Sequence, residues 1–129
     1  MAEKKTVAKV EDDRVKPIVL RDQKTNDIYV LEFNRDSIKF AESRGFKIAA
    51  FDEGAVITTV EELFFYAFRM HQPKITRAET DKILYEKLGG MPAGMLERLV
   101  DLYIEPLKAL RQDADEEGNV KNATMTAEF

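Results

Sequence analysis

From Val15 onward the apolar residues change spacing along the chain, and each change predicts a different element. Val15, Ile18, Val19 and Leu20, then Ile28, Tyr29, Val30, Leu31 and Phe33, form two β-prone runs separated by the polar stretch Asp22-Gln23-Lys24-Thr25-Asn26-Asp27. That pattern predicts a hairpin. Pro17 has no ladder donor and belongs at the start or outer edge of the first strand. Asn34 is a good helix N-cap, and Phe33 and Ile38 stand where a hydrophobic staple would pack. A three-turn helix to about Arg44 follows, with Ile38 and Ala41 on one side, Phe40 beside them and Gly45 as the left-handed residue after its end. Phe46 to Ile57 reads as a connector or a short extended segment.

Thr58 with Glu61, or Thr59 with Glu62, would form a capping box, so the next helix is expected to begin there and to run until Pro73 stops it. It carries Val60, Leu63, Phe64, Phe65, Tyr66, Ala67, Phe68 and Met70, apolar almost all round, as in a helix central to a core or covered by a partner. Thr76 with Glu79 starts another helix, whose stripe is Ile83, Leu84 and Leu88 and whose terminator is Gly89-Gly90. Pro92 suits the first position of a last helix with Met95, Leu96, Leu99, Val100, Leu102, Tyr103, Leu107 and Leu110 as a broad stripe. Pro106 must kink or interrupt it.

The ends differ from this middle. Residues 1–14 hold eight charged side chains and few apolar ones, a composition that cannot repay the entropy of ordering. After Leu110 comes Gln112-Asp113-Ala114-Asp115-Glu116-Glu117-Gly118-Asn119, an acidic tail; Val120 to Phe129 alternate weakly and read as tail or added edge strand. The expected organisation is therefore a flexible charged arm at 1–14, one domain at 15–110 and an acidic tail at 111–129. The expected fold class is α+β, mainly α, an N-terminal β-hairpin followed by about four helices with flexible charged termini.

Composition narrows the function. The chain has 129 residues with 20 Lys and Arg against 24 Asp and Glu, a net charge of −4. Without a basic block, that balance argues against nucleic acid as a partner. There is no cysteine, which removes disulfides, thiolate nucleophiles and cysteine zinc sites. No apolar run approaches the roughly 18 to 20 residues of a membrane span, and Met-Ala-Glu-Lys-Lys-Thr leads into no signal-peptide core. Neither a membrane nor a secretory route is expected.

Candidate chemistry is sparse. The single His71 lies near a helix end, where an imidazole favours the dipole, and no nucleophile elbow accompanies it. Asp113-x-Asp115-x-Glu117-Gly118 opens like a calcium loop, but the ninth and twelfth positions are Lys121 and Thr124 where the loop needs a ligand and a bidentate Glu. Gly89-Gly90 follows a helix and precedes no Lys-Ser or Lys-Thr, so it is a helix stop and not a phosphate loop. No catalytic residue, cofactor site or metal site is assigned. The positive signal is aromatic: Phe64, Phe65, Tyr66 and Phe68 cover more angle than one core face needs, and Met91 and Met95 add adaptable surface. They would serve either as core or as a surface for self-association or a partner helix. On the second reading the contact residues are Phe65, Phe68, Met70, Met95, Leu99 and Leu102, each of which would serve equally as core.

The order of Tyr29-Val30-Leu31-Glu32-Phe33-Asn34-Arg35, the helix to Gly45-Phe46, Glu62-Leu63-Phe64-Phe65-Tyr66-Ala67-Phe68, and Leu88-Gly89-Gly90 before a long helix and an acidic tail resembles the small tail assembly chaperones of long-tailed bacteriophages. The likeness covers about residues 15 to 129 and rests on residue type and order. It implies a non-enzymatic protein of the bacterial host cytoplasm, absent from the mature virion. Its implied partners are the largely helical tape measure protein, which it would keep extended, and tail tube subunits brought to it; homo-oligomers are also open. The rival readings are a small structural virion protein, such as a tail or head completion subunit, and a host adaptor that binds a protein helix.

Overall fold

The computed structural model describes residues 14–110 and 124–129. Most of the predicted arm and the acidic run at 113–117 lie outside the described residues, and 124–129 contain no strand.

Two strands, β1 (Ile18–Arg21) and β2 (Ile28–Leu31), pair antiparallel in the register Ile18 with Leu31, Val19 with Val30, Leu20 with Tyr29 and Arg21 with Ile28. Paired residues share a face, so Ile18, Leu20, Tyr29 and Leu31 turn toward the core while Val19 and Ile28 lie on the open face, 60% and 49% exposed. Pro17 immediately precedes the first strand, as its missing donor requires.

Four helices follow, as the pattern predicts. The first, α1 (Arg35–Ser43), is capped by Asn34, whose Oδ1 accepts from Ser37 N at 2.7 Å while Ser37 Oγ accepts from Asn34 N at 2.9 Å. Phe33 and Ile38 are both buried beside this cap, and Gly45 at φ +93° ends the helix as expected. A 3₁₀ turn at Ile48–Phe51 fills the connector.

The second helix, α2 (Val56–Arg69), begins one turn before either Thr capping box. Gly54 at φ +94° redirects the chain out of the 3₁₀ turn, and the Ala55 carbonyl accepts both Thr59 N at 3.0 Å and Thr59 Oγ1 at 2.5 Å. Thr59 therefore spends its hydroxyl backward inside the helix, and Thr58 is an exposed interior position. Asn34→Ala should cost about 1 kcal/mol, the usual cost of losing a side-chain cap. Thr58→Ala should stay within about 0.5 kcal/mol, as at an ordinary surface site. Urea midpoints of the two variants test this, and a loss at Thr58 equal to that at Asn34 would contradict the observed helix start.

The third helix, α3 (Arg77–Lys82), opens on the predicted box: Thr76 Oγ1 accepts from Glu79 N at 3.2 Å and Glu79 Oε1 from Thr76 N at 2.9 Å. It continues as a wider π turn at Ile83–Lys87, where Leu88 N reaches back five residues to the Ile83 carbonyl at 2.8 Å. Gly90 N then closes onto the Leu84 carbonyl, and both Gly89 and Gly90 have positive φ. The last helix, α4 (Met95–Ile104), does not start at Pro92. Gly94 is left-handed at φ +83°, which ends any helical path through 92–94, so Gly94 itself is the N-cap. Pro106 interrupts the stripe as predicted, and the chain continues as a 3₁₀ turn at Glu105–Leu110.

The second helix is the hub. It touches β2, the 3₁₀ turn after α1 and each of the other three helices, and Leu63 through Phe68 are all buried. Its rings find partners from across the chain: Phe68 packs on Tyr29 at 5.0 Å and Phe64 at 5.7 Å, and Tyr66 on Phe46 at 5.7 Å. Tyr103 brings α4 into the same cluster through Phe33 and Phe46.

Candidate interaction surface

The six residues nominated as a partner surface are overwhelmingly core. Phe65, Phe68, Met95, Leu99 and Leu102 are at most 9% exposed, and Met70 is half-buried. The angle covered by the α2 aromatics is wide because helices and the hairpin approach from several sides. The surplus apolar surface read from the sequence is thus consumed in folding.

One open site lies between the hairpin and the π turn. A cleft of about 410 Å³ is lined there by residues of the hairpin and by Ile83, Glu86, Lys87 and Leu88. Leu20, Tyr29, Ile83 and Leu88 supply its apolar surface, and Arg21, Asp22, Lys24, Glu86 and Lys87 its charges. Tyr29, Ile83 and Lys87 also line a neighbouring cleft of about 460 Å³ with Gln72, Lys74, Ile75, Glu79 and Lys82. The two make one groove with an apolar strip along it and more lysines than carboxylates at its edges.

Asp22 builds one wall. Its Oδ1 accepts from Lys24 N at 2.9 Å and Thr25 N at 3.2 Å, its backbone carbonyl from Asn26 N at 2.7 Å, and its Oδ2 from Lys87 Nζ at 2.8 Å. Asn26 takes the left-handed conformation at φ +64° that lets the loop close. Lys87 hydrogen bonding, reinforced by the two backbone donors, holds the Asp22 carboxyl down at about 2, and the same contact raises the Lys87 ammonium. A carboxyl lowered on folding stabilises this wall above its unfolded value near 3.8 and ceases to do so as pH falls through about 2. Lys87→Met should return Asp22 toward 3.8, read as the carboxyl carbon titration by NMR. A midpoint still near 2 would mean that the backbone donors suffice.

Two further side chains tie the elements together. Glu61 Oε2 accepts from Tyr85 OH at 2.6 Å and Glu62 Oε2 from Arg77 Nη1 at 3.2 Å, so both acids expected to cap α2 instead bind it to α3 and the π turn. The hydrogen bond to Glu61 raises the Tyr85 hydroxyl above its ordinary value. Asp81 is also raised, by partial burial first and then by the Glu61 charge. His71 Nε2 lies 2.6 Å from Glu32 Oε1, linking the end of α2 to the residue after β2. Neither residue lines the clefts described. Among the described residues no group of three His, Asp or Glu side chains is placed to hold a metal, and no helix is long and apolar enough to cross a membrane.

Residues 1–129 match the model of a domain of unknown function, DUF5055. The chain belongs to this family. No curated protein and no solved structure matches it. The family assignment covers the hairpin, the helices and both ends as one unit, so the groove lies within the family's own domain. The π turn that shapes the groove has no sequence signature that could have announced it. Tyr29, Ile83 and Leu88 were legible only as apolar members of a strand and a helix.

Proposed function

We propose that this protein is a non-catalytic assembly chaperone of a long bacteriophage tail, and that it holds helical segments of the tape measure protein in the groove between the hairpin and the π turn. The carrying observation is the groove itself: an apolar strip of Leu20, Tyr29, Ile83 and Leu88 flanked by charged side chains, the complement of an amphipathic helix. The order of sequence features shared with tail assembly chaperones supports the identity of the partner. A partly covered strip with charged side chains at its edges suits reversible binding, because little of the association free energy is committed to a dry, fully packed interface.

The test is co-expression with the tape measure protein of the same phage. The expected result is a complex that co-purifies and a tape measure protein that stays in solution. Ile83→Asp should abolish co-purification while the far-ultraviolet dichroism stays that of the parent. Unchanged tape measure solubility with no complex would overturn the proposal. Stoichiometric copies of the chain in purified virions, found by mass spectrometry, would instead identify a structural virion subunit.

A further inference from the structure

A third cleft lies away from the groove, where the end of α1, the end of α2 and the start of α3 meet. It measures about 430 Å³ and is lined by Phe40, Arg44, Phe65, Tyr66, Arg69 and Arg77, three rings and three guanidinium groups with no carboxylate among them. The rings set the cations in place. Arg69 lies 3.6 Å and Arg44 4.8 Å from the centre of Phe40, and Arg77 lies 4.7 Å from Phe65 and 5.3 Å from Tyr66.

Their hydrogen-bonding capacity is unevenly used. Arg77 donates from Nη1 to Glu62 and from Nη2 to Tyr66 OH at 2.8 Å. Arg44 and Arg69 stack on Phe40, and among the described residues no carboxylate lies within ion-pair distance of either. Stacking occupies a guanidinium's face and leaves its edge donors free to fork onto a planar anion. Arg44 and Arg69 also stand at helix C-termini, where the dipole favours a cation. That accounts for each cation singly. It does not account for three on one aromatic floor with Glu62 as the one ion-pair partner, an excess of two positive charges on a chain whose net charge is −4.

From this we infer a second binding site: the cleft docks an acidic peptide segment of a partner protein, with Asp or Glu carboxylates on Arg44 and Arg69 and an apolar neighbour against the half-buried Phe40. The overall negative charge of the chain disfavours nucleic acid, whose extended row of phosphates needs many clustered cations, whereas a short acidic segment needs only these. The inference is independent of the groove, which is built from different residues.

The test uses the full chain and a fluorescein-labelled twelve-residue peptide carrying four Glu and two Leu, with its Glu-to-Gln counterpart as control. Anisotropy at low salt should show the Glu peptide binding at least tenfold more tightly than the Gln peptide, with the difference fading as salt screens it. The Arg Nε–Hε signals of Arg44 and Arg69 should shift in the NMR spectrum on binding. Arg44→Gln and Arg69→Gln should each weaken binding at least fivefold without lowering the melting temperature by more than a few degrees. Arg69→Lys, which keeps the charge and folds more safely, should weaken it less than Arg69→Gln. Equal binding of the Glu and Gln peptides, or undiminished binding by the variants that fold, would overturn the inference. So would inorganic phosphate or a single-stranded oligonucleotide moving the same arginine signals while the Glu peptide does not.

Discussion

Phe68→Ala should destabilise the protein by about 3 to 5 kcal/mol, the range for emptying a buried aromatic site. Phe68 is fully buried, lies in the hub helix and packs its ring against Tyr29 of the hairpin and Phe64 one turn away. Truncation removes the contact that seats the hairpin on α2, where Glu32 N also donates to the Ala67 carbonyl at 3.2 Å. Small domains are stable by only about 5 to 15 kcal/mol, so the loss takes a large fraction of the total. Urea denaturation followed by dichroism measures it. A loss under 1 kcal/mol would mean that Phe68 is not a central packing residue, and would restore it as a candidate for partner contact.

Alkaline pH should bring the second large effect. Burial, with a smaller contribution from the Glu42 charge, pushes the Tyr103 hydroxyl up to about 12 from an ordinary 10.0. The folded protein then keeps a proton that the unfolded chain releases. Stability from this residue is complete below pH 10 and is lost as pH rises from 10 to 12, by about 2 kcal/mol. Tyr103→Phe should flatten the decline of the urea midpoint between pH 9 and pH 11.5. The surrounding rings of Phe33 and Phe46 accept a phenyl group of nearly the same shape. An identical decline in the variant would assign the alkaline loss to other groups, of which the Lys87 ammonium paired with Asp22 is the clearest.

The parts of the fold that could be read in advance are those set by neighbours in sequence. The Asn34 and Thr76 caps, the Gly45 and Gly89-Gly90 stops and the interruption at Pro106 each depend on a hydrogen bond or a backbone angle spanning at most six residues. Where two local signals competed, sequence reading chose wrongly. Thr58 and Thr59 look like caps, yet Gly54 and the 3₁₀ turn before them start the helix earlier; Pro92 looks like a first helical residue, yet Gly94 two positions on turns the chain left-handed. The choice between core and partner surface for the aromatic residues stayed open for a different reason. A buried Phe and an exposed one have the same composition and the same spacing, and the number of elements that close over α2 is a property of the assembled fold.

By itself, then, the sequence determined a hairpin, four helices, most of their terminators and an aromatic-rich second helix, because period, capping and turn chemistry act over a few residues. Only the tertiary structure decided which apolar side chains stay open. It brought the hairpin loop at Asp22 to Lys87 across 65 positions, and it gathered Arg44, Arg69 and Arg77 from three helices onto one aromatic floor. Such placements arise from packing between elements distant along the chain, and no local pattern encodes them.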